Sequence, residues 1–293
     1  MSIPKIIHYC WFGGKPLPEE AKCFIDTWKK YCPEYHIQQW NENNFDINQN
    51  QYCREAYAAK KWAFVADYVR LKVLYEYGGI YMDTDVEIKK TLNDLLSYDA
   101  FMCFESDNLV SIGTLGAKPK SKVINDFLGA YKNRSFKNKD QSLDLTPNLS
   151  IVTQILDEKY GLAHSGQRQI LPENILVLPM ESFIAKDYYT GWIMEDESTY
   201  AIHHYTATWL DERRKQYSVM HRKYVLQYLK IAKEIVVKLA SIRATAEIYG
   251  ISEVMKKIIN KILRNGGADR EYPHRLLSLQ RKCLSSWNNE VAA

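Results

Sequence analysis

The sequence predicts an α/β fold with a helical appendage at its C-terminal end. Short runs of apolar and β-branched residues alternate with segments of helical periodicity up to about residue 209, and this alternation is typical of a sheet flanked by helices. Beyond that residue the strand-like runs stop and basic segments with helical periodicity follow. We therefore expect one α/β domain over residues 1–209 and a basic helical region over residues 210–293.

Strands are predicted where β-branched and aromatic residues cluster between turn-forming residues. These runs are Lys5–Trp11, His36–Trp40, Ile80–Val86, Ala100–Phe104, Leu176–Pro179 and Tyr200–His204. Helices are predicted where apolar residues recur every three or four positions. These segments are Pro18–Trp28, Tyr52–Lys60, Trp62–Tyr77, Ser121–Lys132, Leu149–Tyr160, Val219–Leu239 and Val254–Leu263.

Composition excludes several classes of protein. The chain has 293 residues, of which 46% are hydrophobic and 25% charged, and these values are ordinary for a globular protein with a sizeable core. A net charge of only +4 does not indicate a nucleic-acid partner. The chain also lacks a Gly-x-Gly-x-x-Gly fingerprint and a Walker loop, which disfavours a dinucleotide cofactor or a P-loop nucleotidase.

The cellular compartment is predicted from what the chain lacks. No apolar run is long enough for a signal peptide or a membrane span, and the 6 cysteines are scattered without a Cys-x-x-Cys pair. We therefore expect a reduced, cytoplasmic protein.

The stretch Gly78–Val86 places two carboxylates directly after a short apolar strand. Asp83 and Asp85 are two residues apart, and in an extended backbone such residues point to the same side. Carboxylate oxygens suit Mg²⁺ or Mn²⁺, and a metal held by two carboxylates keeps positions open for a diphosphate. The alternative is a solvated turn after a strand, which an Asp-x-Asp sequence alone does not exclude.

The helix before this stretch carries a second polar pair. Asp67 and Arg70 are three residues apart and therefore share one face of a helix that is apolar nearly all round. One interpretation is a salt bridge within the helix. The other is that the pair opens on the carboxylate strand, where the rigid fork of Arg70 would meet phosphate or sugar oxygens.

Two further positions suit a ligand site without establishing one. His203 and His204 end a late strand, so at most one of them would face a given site, as a metal ligand or as an ordinary hydrogen-bonded histidine. Trp11 ends the first strand, and α/β sheets bind ligands outside the carboxyl ends of their strands. An indole there could stack on a base, or simply pack at the edge of the core.

Four blocks of the sequence together resemble the DXD-containing sugar transferases of glycosyltransferase family 32, which are related to the glucosylating domain of clostridial toxins. The blocks are His8–Gly14, Ala66–Arg70, Leu74–Val86 and His203–Trp209, with Thr208 where the family usually has Ser. The resemblance spans about residues 3–209. It implies a GT-A type nucleotide-sugar transferase, with a Rossmann-like mixed sheet flanked by helices.

On the nucleotide side, the resemblance implies that Trp11 stacks on the base and that the Cys10 backbone reads the edge of the base. Tyr81 would lie against the nucleotide, and Thr84 belongs to the same donor-binding segment. Thr208 and Trp209 would contact the leaving phosphate.

On the sugar and metal side, the resemblance implies that Asp67 and Arg70 bind the donor sugar and the diphosphate, with Asn148 a further candidate for the sugar pocket. Asp83 and Asp85 would hold Mn²⁺ or Mg²⁺. One of His203 and His204 would complete the metal shell, with His203 preferred. The predicted catalytic set is Asp67, Arg70, Asp83 and Asp85.

The expected activity is metal-dependent transfer of a hexose from a nucleotide sugar to a glycan or lipid-linked glycan acceptor of a capsule or lipopolysaccharide. A UDP-sugar is the expected donor. Relatives retain anomeric configuration, and no enzymic nucleophile is evident, so a front-face attack with the diphosphate oxygen as base is expected. Three alternatives stay open: an effector that glycosylates proteins, a sugar-nucleotide phosphohydrolase, and a non-catalytic nucleotide-sugar binding module.

The basic C-terminal segments have two interpretations. Between residues 211 and 264 there are thirteen Lys or Arg residues and five acidic residues. Basic residues beside an apolar helical stripe suit peripheral contact with an anionic membrane at the inner face of the cell. A small helical cap with a solvated basic face is the other interpretation.

Overall fold

The structure, a computed structural model, describes residues 2–206, 212–228, 233–251 and 253–254. The chain divides into two compact units, Met1–Asp211 and Glu212–Ala293. Thr208 and Trp209 lie outside the described residues, as does nearly all of the helix predicted from residue 254 onward.

The first unit is built on a mixed sheet of seven strands. Its strands lie in the order β2-β1-β3-β6-β5-β8-β7. The strands are β1 (Ile6–Cys10), β2 (His36–Trp40), β3 (Gly79–Met82), β5 (Ala100–Ser106), β6 (Leu109–Ala117), β7 (Gln169–Leu171) and β8 (Ile175–Leu178). β1 pairs in parallel with both β2 and β3, and β5 pairs in parallel with β8. β6 runs antiparallel to β3 and β5, and β7 runs antiparallel to β8.

Helices cover both faces of this sheet. The helices of the first unit are α1 (Glu19–Tyr31), α2 (Gln51–Ala58), α3 (Trp62–Tyr77), α4 (Lys122–Gly129) and α5 (Asn148–Tyr160). Along β5, Met102 and Phe104 join the core under α2–α5, whereas Phe101 and Cys103 join the core under α1. Successive strand residues face opposite sides, so this alternation shows a sheet buried on both faces.

Two glycines join α3 directly to β3. Both have positive φ, 65° for Gly78 and 103° for Gly79, a region that side chains disfavour. A Cβ on Gly78 would lie 2.6 Å from Pro119 Cδ, and one on Gly79 would lie 2.7 Å from the carbonyl oxygen of Ile6. The buried ring of His8 secures this joint, because its Nε2 lies 2.8 Å from the Gly78 carbonyl oxygen. The joint therefore fixes the position of α3 relative to the strand that precedes Asp83.

A second, two-stranded sheet brings a late part of the chain to the same place. β4 (Val86–Ile88) pairs antiparallel with β9 (Ala201–His203). In this register Val86 lies opposite His203 and Ile88 lies opposite Ala201. The pairing therefore places the residues after the Asp-x-Asp stretch beside the late histidines.

The second unit contains α6 (Glu212–Tyr228) and α7 (Lys233–Tyr249) among its described residues. Its buried cluster is formed by Tyr224, Val225, Ala240 and Ala244. The helix predicted over Val219–Leu239 overlaps parts of both helices. No helix in the described ranges has the length and apolar character that a membrane crossing requires.

The predicted α/β class, with a mixed sheet flanked by helices, is confirmed. The helices α1–α5 begin and end within three residues of the predicted bounds. The local pattern does not predict β6, β7 or the short β4. It also predicts extended backbone through Asp85, and this is wrong: β3 ends at Met82, and residues 83–85 form a turn closed by a bond from Val86 N–H to the Asp83 carbonyl.

Candidate functional site

Arg70 ties together two of the predicted acidic residues. Its Nη2 lies 3.1 Å from Asp67 Oδ1 and 3.3 Å from Asp83 Oδ1. Its Nη1 donates to the Ile112 carbonyl at 2.9 Å, and its guanidinium carbon lies 4.5 Å from the centre of the Tyr81 ring. Arg70 therefore makes the intrahelical salt bridge of the first interpretation and also reaches the Asp-x-Asp turn. Its contact with phosphate or sugar oxygens stays a prediction.

The electrostatics of this corner follow from burial. Burial disfavours the charged form of Arg70, but Asp83, Tyr81 and Asp67 raise its pKa above the usual range, so the guanidinium keeps its charge. Burial raises the pKa of Asp67 to about 6, opposed by Arg70. Asp67 is thus a carboxyl whose proton is held more tightly than in water.

Asp83 has one oxygen engaged and one directed at a glycine. Its Oδ1 accepts from the Tyr81 hydroxyl at 2.9 Å and pairs with Arg70. A Cβ built on Gly113 would lie 2.9 Å from Asp83 Oδ2 and 3.5 Å from His203 Cε1. The space between the Asp83 carboxylate and the His203 ring therefore exists because residue 113 has no side chain.

Asp85 is held from the other end of the chain. His203 Nε2 lies 3.1 Å from Asp85 Oδ1, and Thr206 donates to Asp85 Oδ2 from its backbone N–H at 2.9 Å and from its hydroxyl at 3.2 Å. Burial opposes ionisation of Asp85, but these contacts lower its pKa well below the usual range. In turn, although burial opposes the charged imidazole, Asp85 raises the pKa of His203 to about 9.

The two neighbouring histidines face different partners. His204 Nε2 lies 2.8 Å from Glu87 Oε2, its Nδ1 lies 3.2 Å from Lys186 Nζ, and its ring stacks on Phe24. His203 faces Asp85 instead. This alternation follows from the strand geometry of β9 and favours His203 over His204 as the member of the acidic site.

The residues predicted on the nucleotide side lie at the carboxyl ends of β1 and β3. Trp11 is half-buried and its indole donates to the Lys15 carbonyl at 2.6 Å. Cys10 is buried beside the Arg70 corner, and burial raises the pKa of its thiol. Tyr81 is fully buried, with its hydroxyl used by Asp83. Thr84 sits half-buried at the turn itself.

Asn148, predicted for the sugar pocket, contacts Asp67. It is the first residue of α5, and its Nδ2 donates to Asp67 Oδ1. The structure thus brings Asn148, Asp67, Arg70 and Asp83 into one chain of contacts.

A group that the sequence pattern does not reveal lies behind Asp67. Arg134 sits over the rings of Tyr52 and Tyr131, at 4.7 Å and 5.4 Å from their centres, and pairs with Asp144 at 2.7 Å. Both tyrosine hydroxyls and Arg134 Nη1 are buried and have no hydrogen-bond partner among the residues that the structure describes. Asp67 is among the charges that raise the pKa of each tyrosine, so the group lies close to it.

The side chains at the Asp-x-Asp turn have the chemistry to bind a divalent cation, but they do not form a complete ligand set. Within the described ranges, no three His, Cys, Asp or Glu side chains are grouped so that they could hold a metal ion. Asp83 and Asp85 nevertheless present carboxylate oxygens of the kind that Mg²⁺ and Mn²⁺ prefer, on either side of His203. Gly113 has no side chain to crowd Asp83 Oδ2, since a Cβ there would lie 2.9 Å from that oxygen.

A comparison with protein families finds a match in the N-terminal part of the chain. Residues 18–102 match the model of a glycosyltransferase sugar-binding region containing a DXD motif. The matched region is similar to DXD-containing glycosyltransferases. It includes α3 and the Asp83–Asp85 turn, and the resemblance stated from the sequence is confirmed there.

Curated relatives match parts of the chain. Inositol phosphoceramide mannosyltransferase 3 of Schizosaccharomyces pombe is 32% identical over 39% of this chain and 33% of its own length. An uncharacterized glycosyltransferase of Acanthamoeba polyphaga mimivirus is 28% identical over 48% of this chain and 59% of its own length. Mannosyl phosphorylinositol ceramide synthase of Saccharomyces cerevisiae is 29% identical over 45% of this chain and 34% of its own length. The chain thus spans a third to three-fifths of these relatives.

Solved structures give weaker matches. The PaToxG glycosyltransferase matches 54% of this chain and 69% of its own, with a TM-score of 0.44 and 22% identity. A glycosyltransferase involved in the glycosylation of the major capsid of PBCV-1 matches 70% of this chain and 95% of its own, with a TM-score of 0.39 and 9% identity. These scores are too low to indicate function.

Proposed function

We propose that this chain is a metal-dependent, retaining hexosyltransferase. Its donor would be a nucleotide sugar, with UDP-sugars the first to test, and its acceptor a surface glycan such as a capsule or lipopolysaccharide intermediate. The observation that carries the proposal is the bridge of Arg70 between Asp67 and Asp83, beside the Asp85–His203 pair. The names of two relatives describe mannosyl transfer, which supports a hexose as the transferred group.

The chain's own residues divide the work between sugar and leaving group. Asp67, held by Asn148 and Arg70, would accept hydrogen bonds from donor hydroxyls through its second oxygen. Arg70 would place positive charge beside the departing diphosphate. Asp83, Asp85 and His203 would hold Mn²⁺ or Mg²⁺, which when bound supplies further positive charge against the leaving group.

Retention fits the partners of the carboxylates. We assign Asp67 to the donor hydroxyls and Asp83 and Asp85 to the metal, so none of the three carboxylates is assigned as a covalent nucleophile. The acceptor oxygen would therefore attack the anomeric carbon from the face that the diphosphate leaves. The new carbon–oxygen bond forms, the bond to the diphosphate breaks, and the acceptor proton passes to a diphosphate oxygen.

The acceptor proposal includes a location. We place the reaction at the cytoplasmic face of a membrane, with the basic C-terminal helices in peripheral contact with anionic lipid. Val219 on α6 and Ile242 on α7 are exposed apolar side chains on helices rich in Lys and Arg, which supports such a contact.

A donor panel tests the activity. The full chain is incubated with Mn²⁺ and, separately, UDP-glucose, UDP-galactose, UDP-N-acetylglucosamine and GDP-mannose, and the products and melting temperature are measured. A transferase releases a nucleoside diphosphate, a phosphohydrolase releases a nucleoside monophosphate and sugar phosphate, and a binding module shifts the melting temperature without release. If no donor shifts the melting temperature or is turned over, the proposal fails.

Two variants locate the reaction at this site. Asp85→Asn is expected to lower turnover at least about 100-fold, by analogy with loss of an electrostatic group in a catalytic site. Its matched control is Asp157→Asn, which changes an exposed carboxylate on α5 and leaves turnover unchanged. Gly113→Ala should also lower turnover, because its Cβ displaces Asp83 Oδ2, whereas Gly129→Ala on α4 meets no atom within 4 Å. Unchanged turnover in Asp85→Asn would contradict the assignment of the motif.

A further inference from the structure

A short hairpin beside the site is built by its own hydrogen bonds. We name residues 186–193 the aromatic hairpin. Lys186 and Ile193 pair as an antiparallel bridge, and Asp187 N–H donates to the Trp192 carbonyl at 2.9 Å. Asp187 Oδ1 accepts from the backbone N–H of Thr190 at 2.7 Å and from its hydroxyl at 2.8 Å. The carboxylate therefore fixes the turn, and the tip is held in one shape.

The hairpin presents large apolar side chains to solvent. Tyr188 is 52% exposed, Tyr189 39%, Trp192 44% and Ile193 53%. Elsewhere in the first unit, large exposed apolar side chains occur singly among the described residues. Tyr and Trp offer large, rigid, amphipathic contact surfaces at low entropic cost, so a cluster of them marks a binding surface.

Aromatic rings connect the hairpin to the acidic site. The Tyr188 ring meets the Tyr205 ring edge-on at 5.2 Å, and the Tyr205 ring stacks on the His203 ring at 4.4 Å. His203 Nε2 lies 3.1 Å from Asp85 Oδ1. A single ring, that of Tyr205, therefore separates the Tyr188 ring from the His203 ring.

The charge around the hairpin selects the kind of ligand. Residues 181–200 contain five acidic residues against one lysine. Lys89 and Lys90 contact this segment, and an acidic excess remains when both are counted. An anionic phospholipid surface would be repelled, whereas an uncharged ligand with apolar faces would not. The faces of a pyranose ring, lined by C–H groups, meet this requirement.

We propose that the aromatic hairpin is an acceptor subsite, which holds pyranose rings of an uncharged glycan against Tyr188, Tyr189 and Trp192. The inference rests on the proposed transfer reaction and adds the place and chemical class of its acceptor. A hydroxyl of the sugar held there forms the new bond to the anomeric carbon, and its proton leaves with the diphosphate. The hairpin would thus act on acceptor binding and not on donor binding.

The test separates acceptor binding from donor chemistry. Methyl α-D-mannopyranoside, methyl β-D-glucopyranoside and methyl β-D-galactopyranoside are used as probes. Their binding is measured by saturation-transfer NMR, and donor hydrolysis is measured without them. Trp192→Ala and Tyr188→Ala should each weaken binding of the pyranosides that the full chain binds by roughly threefold to tenfold, the effect of losing one aromatic contact. Donor hydrolysis should stay unchanged.

Conservative variants and a surface control exclude a folding effect. Trp192→Phe and Tyr188→Phe keep a ring and should restore most of the binding. Ile170→Ala removes another exposed apolar side chain, 52% exposed on β7, and should bind pyranosides as the unaltered chain does.

Three results would overturn the inference. The first is equal pyranoside binding by the alanine variants and the unaltered chain, and the second is no pyranoside binding by the unaltered chain. The third is that the alanine variants lose binding to phosphatidylcholine–phosphatidylglycerol vesicles while their pyranoside binding is unchanged. Failure of the transferase proposal has a different signature, since the unaltered chain would then turn over no donor while the hairpin still bound pyranosides.

Discussion

The two carboxylates of the Asp-x-Asp turn are held by different parts of the chain. Asp83 is held by Tyr81 and by Arg70, both of which lie within 13 positions of it. Asp85 is held by His203 and Thr206, which lie 118 and 121 positions further along the chain. The Asp83 side is therefore a local construction of α3 and β3, whereas the Asp85 side exists only once β9 has paired with β4.

The largest expected loss of stability comes from a substitution on the Asp83 side. Arg70→Ala leaves the buried carboxylates of Asp67 and Asp83 without their shared cation, and removal of one partner of a buried pair costs about 3–5 kcal/mol. We expect a loss of this size in the free energy of unfolding, measured by urea denaturation.

A second charged pair on α3 provides the control. Lys72 and Glu76 form a half-exposed i,i+4 pair, so Lys72→Ala should cost less than about 1 kcal/mol. Equal losses in the two variants would show that Arg70 contributes helix stability and does not hold the corner.

The stability of the Asp83 side should also depend on pH, through Asp67. The pKa of Asp67 is raised to about 6 from a usual value of 3.8, so the folded state holds this proton more tightly than the unfolded chain does. The contribution of Asp67 to stability is therefore greatest below pH 4 and falls as the pH rises through about 6. The fall amounts to about 3 kcal/mol at most.

Asp67→Asn removes this dependence. Urea denaturation at several pH values should show that the free energy of unfolding of the variant rises relative to that of the unaltered chain between about pH 4 and pH 6. A constant difference across that range would mean that Asp67 titrates as an ordinary carboxyl.

A smaller effect probes the Asp85 side. Thr206→Val removes the hydroxyl that donates to Asp85 Oδ2 at 3.2 Å but keeps the backbone donor at 2.9 Å. We expect a loss of about 1 kcal/mol in the free energy of unfolding. Thr206→Ser keeps the hydroxyl and should lose less stability. A loss in Thr206→Ser as large as that in Thr206→Val would show that the hydroxyl contributes no more than the methyl group.

The smallest effect has the opposite sign. The Tyr131 hydroxyl is buried and has no hydrogen-bond partner in the described part of the chain, so Tyr131→Phe should be neutral or stabilising by up to about 1 kcal/mol. Tyr160→Phe is the matched control, because its hydroxyl donates to Asp126 at 2.7 Å and its loss should destabilise. Destabilisation by Tyr131→Phe would reveal a water or ligand hydroxyl bound behind Asp67.

The same division explains what could be predicted from the sequence. The bounds of α3, the glycines after it and the strand that follows are encoded locally, by apolar periodicity and a C-cap. The proximity of Asp67, Arg70 and Asp83 follows from that local order. His203 and His204 could be suggested from the end of a late strand, but the choice of His203 comes from the family resemblance, because nothing local relates it to Asp85.

The remaining features depend on tertiary contacts. β6 contains Gly113 and Gly116, which weaken a strand signal, yet a Cβ on Gly116 would lie 2.1 Å from the Phe101 ring. The Tyr52, Tyr131 and Arg134 group joins Tyr52 to two residues that lie 79 and 82 positions further along the chain, with no common motif. The turn at Asp83–Asp85 replaces the predicted extended backbone because β3 gives way to β4, which pairs with a different sheet.

The register between β4 and β9 determines which side chain faces Asp85. Because successive strand residues face opposite sides, a slip of one residue would turn the His203 ring away from Asp85 and bring a different side chain to that face. Insertions between the two strands can change the length of the intervening chain without moving the histidine, provided that Val86 still meets His203. A change confined to the aromatic hairpin would therefore leave the pairing of Asp85 with His203 intact.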